Sequence, residues 1–182
     1  RQLLDIARVC DRVPAHPPRT FREALQMVWF VHWFNEEEAP AVHTHSFGRF
    51  DQYLYPFFRR DVDAGILSRA EALALVAAFW IKCYRTFEQR HTMLGGRTAD
   101  GRDGVNELTD VCLDAIALVR TPRATGVRID ARSSDAYLGK VLDVLACGLG
   151  VPALYNDDAI IPALVDRGIP AAVAADHGVT GC

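Results

Sequence analysis

The 182-residue sequence has no run of the roughly 18 to 20 consecutive apolar residues that a bilayer-spanning helix needs. Its longest candidate, Ile66 to Tyr84, is interrupted by Ser68, Arg69, Glu71 and Lys82. The opening segment, RQLLDIARVCDRV, is charged throughout and lacks an apolar core before a small-residue cleavage site, so it does not read as a secretory signal. There is no CxxC pair. Five cysteines at positions 10, 83, 112, 147 and 182 are odd in number and widely spread, against a disulfide framework or a zinc ribbon. Neither sign of charge dominates: 20 Lys and Arg face 23 Asp and Glu, which gives no phosphate-tracking surface and makes nucleic acid a poor partner. GxGxxG, P-loop and GxSxG motifs are missing. GGRTADGRDG lacks the strand-then-helix setting and the terminal Lys-Ser/Thr of a phosphate loop. No internal repeat or low-complexity linker divides the chain. It lacks an initial methionine and stops on Gly181-Cys182 without a polar tail, so both ends read as cut from a longer protein.

Half the residues are hydrophobic and 24% are charged, a soluble globular composition. Thr20 and Glu23 after Pro17-Pro18 form a capping box that opens a helix over FREALQMVWFVHWFNEEEA, ending by Pro40. This helix is apolar almost all the way round from Met27 to Phe34, which places it inside a large structure. A second helix is expected from Phe50 to about Asp63, closed by Gly65, and a third from Ser68 to about Gln89, with Ser68 and Glu71 as another capping box. HTMLGGRTADGRDGVN reads as a short strand at best, then a loop. Glu107 to Val119 has helical spacing of its apolar residues. From there the pattern alternates: GVRID as a strand, SSDAYLGKVLDVLACG as a helix with a serine cap, VPALYND as a buried strand and DAIIPALVDRG as a helix. That order predicts parallel strands and an α/β fold with a helix-rich first half. Two or three strands cannot cover both faces and edges of a parallel sheet, so partner strands are expected outside the chain.

Chemistry-bearing candidates are few. In HTHSFGRFDQYLYP, His43 and His45 alternate with Thr44 and Ser46 in an extended link, and three readings stand open: polar capping or solvent contact, a hydrogen-bonding wall of a substrate pocket, or zinc ligation with help from Glu36 to Glu38. Asp157 and Asp158 follow VPALYN where a helix begins, and capping suffices to explain them. Cys83, Cys112 and Cys147 lie in apolar helical runs and read as small buried hydrophobes. Cys182 differs: it follows HGVTG, whose glycines permit a turn that holds a sulfur out of a helix and in a cavity. A Cys-His nucleophile from His177 and Cys182 is not fixed by five residues across two glycines.

Four blocks resemble the glycyl radical enzymes, the family of pyruvate formate-lyase, glycerol and diol dehydratases, choline lyase and arylacetate decarboxylases. They are PPRTFREALQMVWFVHWF, SFGRFDQYLYPFFRRDVDAGILSRAEA, GGRTADGRDGVNELTDVCLDA, and VPALYNDDAIIPAL leading to HGVTGC. The resemblance spans nearly the whole chain. It implies that residues 1–182 are a helix-rich central fragment of one ten-stranded α/β barrel domain, without the glycyl radical domain. Cys182 matches the family's active-site cysteine, whose thiyl radical takes hydrogen from substrate. HTHSFGRF resembles the dehydratase segment HSxSxGRF, which places His43 and Thr44 on its substrate-contacting His-Ser pair and Ser46 on the next hydroxyl; Phe47 stands where proline is common. No metal or cofactor is implied within the chain. The radical resides on a glycine elsewhere in the protein and is installed by an S-adenosylmethionine-dependent iron–sulfur activase. The resemblance further implies a cytoplasmic, homodimeric, anaerobic enzyme that eliminates or cleaves a small polar substrate. Pyruvate formate-lyase activity is the alternative within the family, although Gly181 does not supply the first of its paired cysteines. The alternative from another class is a non-enzymatic helical interaction module.

Overall fold

The computed structural model describes residues 2–38, 44–86, 89–120 and 124–179, with side chains omitted at 44–45, 86 and 89–90. The elements run α1 (Gln2–Arg12), α2 (Phe21–Glu38), β1 (Thr44–Arg49), α3 (Phe50–Tyr53), α4 (Tyr55–Asp63), α5 (Arg69–Thr86) and β2 (Gln89–Gly95). They continue with α6 (Glu107–Val119), β3 (Thr125–Ile129), α7 (Asp135–Ala146), β4 (Ala153–Asn156), α8 (Asp157–Val165) and α9 (Ala171–Ala175). The four strands form one parallel sheet in the order β1-β2-β3-β4. Sequence order equals spatial order because a helical crossover returns the chain to the same end before each new strand.

The α/β class and the parallel pairing agree with the sequence reading. Three local expectations need correction. VPALYND, read as a buried strand, is the edge strand β4, with Ala153, Leu154 and Asn156 exposed. The extended link at 44–49 is a strand, shifted in register between Ser46 and Gly48. The shift lets Phe47 enter the core, where it packs edge-on against His32 and beside Phe50, Phe79 and Trp80. The single helix expected over 50–63 is two, because Pro56 stands at the start of α4 and has no N–H to continue the ladder from α3. The helix starts are those expected: Glu23 N–H bonds Thr20 Oγ1, Ser68 and Glu71 exchange both bonds, and Ser134 accepts from Tyr137 N–H. Asn106 and Thr109 make a further reciprocal cap at α6.

Leu94 of β2 and Val127 of β3 are paired in register and fully buried in the cluster that α5, α6 and α7 fill. Cys83 and Cys112 belong to it, whereas Cys147 caps the end of α7 and is only half-buried. Around the apolar face of α2, Val31, Trp33 and Phe34 are partly exposed. Among the described residues, no helix is long and apolar enough to cross a membrane.

Two of the blocks that carry the resemblance meet in space. Asp51, in GRFDQ, is fully buried; its Oδ2 accepts from Gly95 N–H at 2.8 Å and from the Thr109 hydroxyl at 2.5 Å. Burial raises its pKa, opposed by these two bonds. Asn106 of DGVNELT donates to Asp51 O, and Gln52 donates to Gly104 O. The turn after β1 and the cap of α6 are therefore one unit that fixes the end of β2. Phe50 sits beside it with no exposed surface, its ring 5.0 Å from Trp80 and 5.4 Å from Phe79. Phe50→Ala should lower unfolding stability by about 3 to 5 kcal/mol in denaturant titration.

Candidate active site

In GVRID, Val127 faces the helices, so Arg128 projects from the opposite face of the sheet. An arginine there must bring its own counter-ion, because a buried unpaired guanidinium is costly. Arg128 has no exposed surface, and neither does the carboxylate it meets, Asp157, the first residue of α8. Their fork is bidentate, with Nε to Oδ1 and Nη2 to Oδ2 both at 2.8 Å. Two further donors of the guanidinium reach backbone carbonyls at and just after the end of α9: Nη2 to Ala175 O at 2.7 Å and Nη1 to His177 O at 3.0 Å.

Asp157 is the hub. Besides the guanidinium it accepts from Arg97 N–H at 3.0 Å and from His177 Nε2 at 3.0 Å, so this carboxylate fixes the imidazole's proton on Nε2. Burial alone would raise the Asp157 pKa. The bonds from His177, Arg128 and Arg97 N–H together outweigh it and hold the carboxyl at about 2. Burial also lowers the Arg128 pKa, opposed by Asp157. Arg97 ties the neighbouring turns together through Asp130 at 2.6 Å and Asp158 at 2.8 Å. Gly96 lies directly under the guanidinium. It has φ +77°, and a Cβ there would come within 2.5 Å of Arg128 Cβ and Nε, so the position excludes side chains on both counts.

A second arginine, Arg49 at the end of β1, mirrors this arrangement. Its Nη2 donates to Gly95 O at 2.9 Å and its Nη1 pairs with Asp176. Beside it Ser46 accepts from Gly48 N–H at 3.0 Å, and its hydroxyl faces His91 O at 3.0 Å and Val179 O at 3.4 Å. The carboxyl ends of the strands thus form a polar floor, and the segment 175–179 is docked on it. In parallel α/β sheets this end is where ligands are bound.

Of the residues singled out from sequence, Ser46 is in this floor, and Thr44 opens the same strand, its side chain outside the described residues. His43 and Cys182 also lie outside the described residues; the last described position, Val179, is three before Cys182. Among the described residues no group of three or more His, Cys, Asp or Glu could hold a metal ion. Asp157 does not cap α8, a role that Asn156 performs through its bond from Asp158 N–H. Arg49, Arg128 and Asp176 were not anticipated, and Asp157 and His177 were considered only as a helix cap and as a partner of Cys182. The one available signal was a charged residue inside the apolar strand GVRID.

Removing one partner of a buried pair leaves the other uncompensated, so Asp157→Asn should cost about 3 to 5 kcal/mol of stability by thermal or denaturant unfolding. The depressed carboxyl pKa also sets a pH window. The stabilisation from Asp157 is complete above the ordinary value of 3.8 and is lost as pH falls toward about 2. Acid titration of the wild type should therefore show a loss of stability in that interval, and in Asp157→Asn that component should be absent.

The pyruvate formate lyase-like family model matches residues 1–182. Trans-4-hydroxy-L-proline dehydratase of Clostridioides difficile is 34% identical over 201 aligned residues, covering 100% of this chain and 25% of that protein. A solved structure titled for 1,2-propanediol dehydration in Roseburia inulinivorans superposes with a TM-score of 0.93 at 35% identity, covering 99% of this chain and 24% of that one. A glycyl radical enzyme from Archaeoglobus fulgidus superposes with a TM-score of 0.92 at 33% identity, covering 99% of this chain and 25% of that one. The chain spans about a quarter of the length of the curated relatives it matches. The four-stranded parallel sheet and its helices are a fragment of the fold that these glycyl radical enzymes share. With matches over its whole length in sequence and in backbone, this chain belongs to the pyruvate formate lyase-like family of glycyl radical enzymes.

Proposed function

We propose that this chain is the cysteine-bearing central part of a glycyl radical dehydratase or lyase acting on a small polar substrate, with Cys182 as the hydrogen-atom carrier. The observation that carries the reading is the docking of residues 175–179 across the carboxyl ends of the strands, on the face opposite the helices. The chain is delivered there to the inner side of the sheet, three residues before a thiol. The dehydratases among its relatives favour elimination over pyruvate formate-lyase chemistry. Relatives that align across the whole chain are enzymes, which disfavours a purely structural helical module.

In this scheme Cys182 gives its thiol hydrogen to the radical-bearing glycine outside the chain; the S–H bond breaks, a Cα–H bond forms, and the unpaired electron moves to sulfur. The sulfur then takes a hydrogen atom from a substrate carbon, restoring S–H. The hydroxyl on the radical carbon gives its proton to the neighbouring hydroxyl, which leaves as water as the first C–O becomes a carbonyl; the unpaired electron passes to the carbon that lost the hydroxyl, and that product radical recovers a hydrogen atom from Cys182. His43, Thr44 and Ser46 supply donors and acceptors that orient the substrate hydroxyls. The polar floor and the helix layer keep water away from the reacting atoms. The radical itself is installed by an S-adenosylmethionine-dependent iron–sulfur activase, and the whole protein is assigned as a cytoplasmic homodimer.

The test uses the full-length protein, activated anaerobically and offered a panel of small vicinal diols and hydroxylated amino acids. Cys182→Ala should form the glycyl radical, seen by electron paramagnetic resonance, and yield no dehydrated product. Turnover in that variant would contradict the assignment. A glutamate two positions after Cys182 marks the dehydratase or lyase branch, whereas a cysteine directly after it marks the formate-lyase branch.

A further inference from the structure

From the last residue of α9 onward, four of the five residues from 175 to 179 meet side chains of β1, β3 and the start of α8. Arg128 takes the carbonyls of Ala175 and His177, Arg49 takes the carboxylate of Asp176, and the Ser46 hydroxyl faces the carbonyl of Val179. The His177 ring is held as well, by Asp157. A surface loop needs no such treatment, because water satisfies its carbonyls. Stability alone does not call for a buried ion pair either, since well-packed apolar residues often serve as well or better. What the arrangement provides is direction: a planar guanidinium anchored by a bidentate carboxylate can donate to its carbonyl partners in one geometry only.

We infer that Arg128, Asp157, Arg49 and Asp176 are positioning residues that clamp the stem of the Cys182 segment onto the sheet and so set where the thiol stands relative to its hydrogen-exchange partners. This rests on the reading of Cys182 as hydrogen-atom carrier. Three residues beyond Val179 reach at most about 10 Å, so fixing 175–179 sets an upper bound on how far the thiol can stand from the strand ends. Hydrogen-atom transfer needs close approach, and a misplacement of about 1 Å costs on the order of 100-fold in rate.

The clamp can be tested without knowing the substrate, by electron paramagnetic resonance of the activated full-length protein in D2O. The Cys182 thiol carries deuterium there. Transfer of D from sulfur to the glycine Cα and return of H to sulfur replaces the α-hydrogen, so the radical's doublet collapses to a narrower line. Asp176→Ala cuts an exposed side chain and leaves the core intact, and Arg128→Lys keeps the charge but loses the fork. Both should form as much radical as the wild type and slow the collapse about 10- to 100-fold. Asp176→Asn, which keeps an acceptor for Arg49, should recover most of the rate. Should Arg128→Lys fail to fold, the result for Asp176→Ala decides. Collapse at the wild-type rate in Asp176→Ala overturns the clamp. Cys182→Ala should show no collapse at all; if it collapses normally, the role of Cys182 is what fails, a result separate from that of the clamp variants.

Discussion

The fold of this fragment is organised by one interaction, the dry ion pair between Arg128 on β3 and Asp157 at the start of α8. An arginine on the inner face of a parallel sheet is tolerable only if every charge and donor is answered nearby, and here the answers come from four places. Asp157 supplies the counter-charge, the backbone N–H of Arg97 completes the carboxylate, and the carbonyls of Ala175 and His177 take two further donors. Because the partners come from β3, the β2 turn, α8 and the stem after α9, satisfying the pair assembles the carboxyl end of the sheet. Gly96 is the steric counterpart, leaving the space the guanidinium fills.

A second polar unit on the helix side serves the same end. Asp51 joins the β1 turn to the cap of α6 and to the last N–H of β2. With Arg49 bonded to Gly95 O, the end of β2 is held from both sides. Three strand ends are thereby fixed relative to each other, and a segment docked on them inherits that rigidity. This is the local order that radical chemistry demands, since a thiol that wanders would miss its partner or meet water instead.

Much of this was legible in the sequence, for physical reasons. Helix starts at Thr20, Ser68 and Ser134 were readable because capping is local chemistry. The parallel sheet followed from alternation of strand and helix in the second half. What escaped depends on contacts distant in sequence. A short extended link gives no sign that it will pair with a strand more than forty residues away, so β1 was read as a connection. Asp157 looked like a cap because a helix start was evident, whereas its counter-charge at 128 comes from another strand. Pro56 was visible, and its effect on α3 and α4 could have been drawn from its missing N–H alone. The blocks that contain GRFDQ and DGVNELT carried the family resemblance but no role for Asp51, Asn106 or Thr109; in the structure they hold one another.

The family assignment and the geometry converge on one arrangement: helices on one side, the sheet between, and residues 175–179 held across the other face by arginines. A crystal structure of the full-length protein tests this most directly. The account predicts the Arg128 guanidinium within hydrogen-bond distance of the carbonyls of Ala175 and His177, and the Cys182 sulfur in an enclosed cavity on the inner face, beside Ser46. A Cys182 sulfur packed among the aliphatic side chains of the helix layer, or an Arg128 turned away from Asp157, would contradict it.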